Sequence, residues 1–217
     1  MLKDEPRIEA GFSLIELMTA MAIGLFLISV LIWIFAELVR ASHDQLKTAQ
    51  IDQTLVSVMH VMAGELRRAG YWSRAWKTRE DGVFNGFAPI HLVGESCILY
   101  SYDRDKRNTG GLPGVDDQHG LRLSGAAVQV KTSDDRCGAA TCEGCNTGNW
   151  SALTDPQTVL IERLAFTVVN REVPFNAGLS LVRVRELHIE IGGTLRRHPA
   201  IARTVRAVVN VRNDEIL

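Results

Sequence analysis

No proline stands between Phe12 and Phe87, and no charged side chain between Leu17 and Ala36. The first absence removes the strongest helix breaker from a long N-terminal stretch. The second excludes an ordinary surface helix, which carries a polar face. Charge of one sign is also missing: the formal net charge is -1. No global basic character points to nucleic acid, and none is expected as a partner. The six histidines are scattered, and none forms an i, i+4 metal pair. No glycine-rich phosphate loop, nucleophile elbow or Ser-His-Asp neighbourhood stands out. The expectation is a protein that is not an enzyme and holds no cofactor.

What is present begins with the apolar run itself. Glu16 and Glu37 bracket it. Twenty helical residues at about 1.5 Å each cover about 30 Å, the thickness of a bilayer's hydrocarbon core. A secretory signal would open on a basic segment and end in a small-x-small cleavage site after its apolar core. Here residues 1–11 carry two basic and three acidic side chains, and no such site follows Ala36. The run is therefore expected to stay in the mature protein as an anchor in membrane lipid.

Beyond the run, Ile51, Leu55, Val58, Met62 and Leu66 recur at steps of four, three, four and four. That is one stripe of an amphipathic α-helix. The pattern predicts one helix from about Ser13 to Arg68, roughly 80 Å long. Gly70 is its expected stop, with Arg67 and Arg68 at the negative end of the dipole. After Trp76 the texture changes to glycine-rich loops with short β-prone runs. Strands are predicted at 97–102, 121–124, 127–131, 159–169, 181–191 and 201–211. The last two, separated by Gly192-Gly193 and Pro199, read as an antiparallel pair. One face is apolar and the other solvated, as in a sheet that covers a helix. The fold class is α+β: a long N-terminal helix packed on an antiparallel β-sheet head.

Four cysteines follow the anchor: Cys97, Cys137, Cys142 and Cys145. In an oxidising compartment an even count suits two disulfides, and four cysteines allow three pairings. The Cys142-x-x-Cys145 spacing also suits a redox pair. Asp103 and Asp105 are weak calcium candidates, in an oxygen-rich stretch that continues through Asn108 to Asp116 and Asp117. A calcium loop wants an acidic oxygen at its fifth position and a glutamate at its twelfth. Arg107 and Gly114 stand there instead, so a solvated loop without metal is the expectation. Arg183, Arg185, Arg196, Arg197, Arg203, Arg206 and Arg212 gather late, interleaved with Glu186 and Glu190. Strand alternation makes them an outward face. Glu16 is either a helix N-terminal acid at headgroup level or an intramembrane charge with a partner.

At the junction, Gly11-Phe12-Ser13-Leu14-Ile15-Glu16-Leu17-Met18 resembles the prepilin peptidase site of type IV pilins and type II secretion pseudopilins. The resemblance implies cleavage after Gly11 and N-methylation of Phe12. It also implies a cytoplasmic leader, a single pass through the bacterial inner membrane, and a periplasmic head that later joins a pilus. It gives Glu16 a partner, the N-terminal amine of a neighbouring subunit. The segments divide as leader 1–11, membrane half of the helix 12–37, amphipathic half 38–70, and head 71–217.

Glu65-Leu-Arg-Arg-Ala-Gly-Tyr-Trp72, Cys97-Ile-Leu-Tyr-Ser-Tyr-Asp103 and Val209-Asn-Val-Arg-Asn213 further resemble PilW-type minor pilins. That group implies a role in starting pilus assembly, with other minor pilins and the major pilin as partners, and hence in twitching motility and adhesion. Prepilin peptidase/methylase is the implied processing enzyme. A J-class pseudopilin of type II secretion is the second reading. A membrane-anchored periplasmic enzyme or redox protein using Cys142 and Cys145 is the third.

Overall fold

The computed structural model describes residues 11, 13–82, 85–132, 144–175, 180–213 and 215–216. The chain divides into two compact units, one ending at Leu46 and the other running from Lys47 to Leu217. A single helix, α1 (Leu14–Leu66), contributes to both. It starts where the Ser13 carbonyl accepts the backbone N–H groups of Glu16 and Leu17, both at 3.1 Å.

In the first unit α1 is exposed along its apolar side chains, among them Leu14, Ile23, Phe26, Leu31, Trp33 and Phe35. The helix is long and apolar enough to cross a membrane. Nothing within the unit covers these side chains, so burying them falls to lipid or to other chains.

In the second unit the same helix turns amphipathic. Ile51, Leu55, Val58, Met62 and Leu66 are all buried, joined by Met59 and Ala63. Full burial of such side chains stabilises by about 1.5–3 kcal/mol each. α1 closes with a tightened turn: Arg68 N–H donates to the Glu65 carbonyl at 3.0 Å and Ala69 N–H to Leu66 at 3.2 Å. Gly70 then takes φ +79°, a left-handed conformation that only glycine adopts without strain. Neither Arg67 nor Arg68 lies in the last helical turn as expected. Arg68 instead pairs with Glu65 at 3.2 Å.

A short helix, α2 (Trp76–Glu80), follows, with no periodic signal to announce it. Next comes a five-stranded antiparallel sheet: β1 (His91–Leu92), β2 (Cys97–Ser101), β3 (Gln118–Ser124), β4 (Ala127–Lys131) and β5 (Trp150–Ala152), in that order. A second antiparallel sheet holds β6 (Val159–Phe175), β7 (Ser180–Leu195) and β8 (His198–Asn210), with β9 (Glu215–Ile216) also paired to β7. Among its described residues the head thus has two sheets where one was expected. Their buried faces and the end of α1 share one core, to which Ile98, Leu121, Val128, Ile161, Leu187, Ile189 and Val209 contribute.

The glycine pair does not separate two strands; Gly192 and Gly193 lie inside β7. The cause is across the sheet. β6 shifts register between Ile161 and Arg163, and Ile161 faces Gly193. A Cβ on Gly193 would stand 2.5 Å from the Leu160 carbonyl oxygen. The bulge also switches which side chains of β6 point inward, from Val159 and Ile161 to Leu164 and Phe166. Pro199 likewise lies inside β8, where the register shifts near Leu195. It is tolerated because β8 is bonded to β7 on one side only.

Candidate functional site

Two regions carry the chain's candidate chemistry. The first is the start of α1. Gly11, the expected cleavage position, is exposed, and Phe12, the expected methylation position, lies outside the described residues. Glu16 sits in the first helical turn with its side chain exposed. Among the described residues it has no side-chain hydrogen bond or ion pair. An acid at that turn is favoured by the helix dipole, and the apolar segment begins immediately beyond it.

The second region is where α1 ends, and three distant pieces of sequence meet there. Tyr102 donates its hydroxyl to Glu65 Oε2 at 3.0 Å. Gly70 N–H donates to the Ser101 carbonyl at 2.8 Å, and Asp103 N–H to the Tyr71 carbonyl at 2.8 Å. From the far end of the chain, Asn213 Nδ2 donates to the carbonyls of Arg68 and Ala69. Below them lies Arg185, only 4% exposed, which donates to the Ala88 carbonyl and, at 2.6 Å, to the Asn213 carbonyl. Arg185 is therefore not part of an outward arginine face. It shares strand parity with buried Leu187, Ile189 and Ile191, a signal that period-2 counting carried. The outward arrangement does hold further along, where Arg163 and Arg206 reach Glu190 at 2.8 and 2.7 Å. The hydrogen bond from Arg206, reinforced by Arg163, keeps the Glu190 carboxyl below its usual range.

His119 stacks on Tyr102 with ring centroids 4.0 Å apart. Its ring is buried, and burial pushes its pKa down to about 4, helped by the nearby Arg104 and Arg68 charges. Burial first, then the Glu65 carboxylate, raises the Tyr102 phenol, which stays a donor at neutral pH. A groove of about 660 Å³ opens beside this joint, lined by Arg67, Arg68, Arg104, Lys106, Lys131 and Arg212 against Glu65 and Asp103.

The acidic loop is not simply solvated, as expected from its sequence. Asp103 and Asp117 are buried and Asp105 is exposed, yet one carboxylate oxygen from each lies within 4.8 Å of the others. Sequence spacing misled because the chain folds back. Asp117, placed outside any calcium-loop position, returns beside Asp103 when its carbonyl accepts the Tyr102 N–H at 3.1 Å.

Of the four cysteines, Cys97 and Cys145 form a disulfide that closes 48 residues. Cys137 and Cys142 lie outside the described residues. A Cys142–Cys145 redox pair is not formed, because Cys145 is already joined to Cys97 on β2. The bridge packs with Leu99 against Trp150. Arg122 covers it, 4.3 Å from the Trp150 ring centroid and bonded to the Cys145 carbonyl.

Residues 44–211 match the family model described as Prepilin peptidase-dependent protein B. Residues 6–32 match the model for the Prokaryotic N-terminal methylation motif. A relative described as Prepilin peptidase-dependent protein B, from Escherichia coli (strain K12), is 27% identical over 168 residues, covering 76% of this chain and 80% of that protein. No solved structure matches the chain.

Proposed function

We infer that this chain, which belongs to the prepilin peptidase-dependent protein B family, is a minor pilin subunit that helps to initiate type IV pilus assembly. It works by assembly rather than catalysis. Prepilin peptidase removes the leader after Gly11, and the new N-terminal Phe12 is methylated. The helix then holds the subunit in the inner membrane with its head in the periplasm until it joins a filament with other minor pilins and the major pilin.

The observation that carries this reading is the succession at the N-terminus. The methylation motif runs straight into the first part of α1, whose large apolar side chains, from Leu14 to Leu46, are left uncovered. An anchor of that kind can pass from lipid to a bundle of like helices, because both are apolar surroundings. Glu16 would be stranded in that bundle without a cation, and the amine of a neighbouring Phe12 supplies one. The Cys97–Cys145 disulfide fits an oxidising compartment for the head.

Mass spectrometry of the mature N-terminus tests the proposal. The expected product begins at a methylated Phe12. An intact Met1 in a strain with active prepilin peptidase would overturn it. Partner capture from membranes then separates a pilus from a secretion pseudopilus. Minor and major pilins are expected, and secretion-system components would favour the second reading.

A further inference from the structure

We propose that Asp103, Asp105 and Asp117 form a calcium site in the loop between β2 and β3. This goes beyond the assembly role and does not depend on it. Two oxygens on one calcium ion, each bound at about 2.3–2.6 Å, stand no more than about 5 Å apart. The three carboxylates already lie inside that span, with one oxygen of each within 4.8 Å of the others.

The second observation is an oxygen with nothing to hold. Asp103 is 2% exposed. Its Oδ2 accepts the Ser73 N–H at 3.1 Å and the Ser73 hydroxyl. Its Oδ1 is buried and has no hydrogen-bond partner among the described residues. Burying an ionised oxygen is costly unless a donor or a cation meets it. A second buried carboxylate beside it, Asp117, adds like-charge repulsion that a cation reverses.

Asp117 is held in place by donors on both of its carboxylate oxygens. It accepts the Arg104 N–H at 3.2 Å, the Gly114 N–H at 2.9 Å and Asn108 Nδ2 at 3.3 Å. The competing pair is weak: Arg107 meets Asp105 at 3.3 Å, but its side chain is 87% exposed. The donor set is all oxygen, which suits a hard cation. Calcium tolerates an irregular shell completed by water, whereas magnesium demands a near-octahedral one. Affinity in the range of extracellular calcium modules, about 10⁻⁴–10⁻³ M, is expected. Bound there, the ion would pin the loop to the segment after α1, which already reaches it through Trp72 Nε1 on the Asn108 carbonyl at 3.0 Å.

The test uses the full chain in detergent micelles, with terbium and calcium as probes. Trp72, hydrogen-bonded to the loop at the Asn108 carbonyl, should sensitise terbium luminescence in a saturable signal that calcium displaces. Calcium at about 10 mM should raise Tm by about 5 °C over EDTA. Asp105→Asn, at the exposed ligand, should abolish both responses while keeping the EDTA Tm of the parent. The site is overturned if the parent shows neither response. It is equally overturned if Asp105→Asn responds in full, or if magnesium at the same concentration shifts Tm as much as calcium.

Discussion

Asn213 Nδ2 donates to the Ala69 carbonyl at 3.0 Å across a sequence separation of 144. A bend beyond β8 thereby closes the end of the first helix. Carbonyls at a helix terminus have no intrahelical donor and need one from elsewhere. Here a side chain from beyond β8 provides it, and Arg185 holds that side chain's own backbone in place at 2.6 Å.

Asn213→Ala should therefore lower head stability by about 1–2 kcal/mol, since it takes the donor from the part-buried contact at the Ala69 carbonyl. Arg185→Ala should cost more, about 3 kcal/mol, because it strips donors from two carbonyls and opens space under Gly70. Urea unfolding followed by tryptophan fluorescence measures both. Equal midpoints for parent and Asn213→Ala would show that the contact contributes nothing.

His119 should make the head acid-sensitive. Its folded pKa of about 4 lies below the ordinary 6.5. The unfolded chain thus binds the extra proton first as pH falls. Stability is fully present above pH 6.5 and is lost as pH drops toward 4, by on the order of 3 kcal/mol. His119→Phe keeps a ring against Tyr102 and should flatten that part of the profile. Thermal unfolding from pH 7.5 to 4 reads the slope for both proteins.

Removing the Cys97–Cys145 bridge should cost about 4 kcal/mol, mainly by releasing the constraint on a 48-residue loop in the unfolded chain. Cys97→Ser should also free one thiol, at Cys145. Alkylation and peptide mapping under non-reducing conditions would locate it. Its appearance at another cysteine would mean that the pairing had rearranged.

Gly193→Ala should destabilise the head by several kcal/mol, on the order of a severe core overpacking. The new methyl would stand 2.5 Å from a backbone oxygen, which cannot move aside as a flexible side chain could. Gly24→Ala, with no atom within 4 Å of the added carbon, should leave the unfolding midpoint unchanged. The two variants compared by calorimetry check the register at the β6 bulge.

Glu16→Ala should leave leader removal and membrane insertion at parental levels and reduce incorporation into pili. Immunoblots of sheared pili against membrane fractions measure the ratio. Normal incorporation would remove Glu16 from the assembly mechanism.

The long helix, its apolar first part and its buried second stripe were all legible, because Ile51, Leu55, Val58, Met62 and Leu66 obey a period that one helix face imposes. The strand pair β7–β8 was legible from alternation at Leu187, Ile189 and Ile191. Arg185 keeps the same parity and so points inward, although its charge favours an outward face. The place of the glycine pair inside β7 has a different cause. Its neighbour across the sheet, the bulge at Ile161–Arg163, leaves no trace near residue 192.

By itself, then, the sequence determined whatever depends on neighbours along the chain. This covers the anchor after Gly11, the amphipathic continuation of α1, the strand periodicity and the motif that links the chain to prepilin processing. Each is written in spacings of a few residues. Only the tertiary structure decided that Cys97 joins Cys145, that Asp117 returns to Asp103 and Asp105, and that Asn213 closes α1 at Ala69. Those pairings depend on burial and on which backbone groups are left without partners once two sheets and a helix share one core. Groups so far apart in the chain meet only when the whole head has folded.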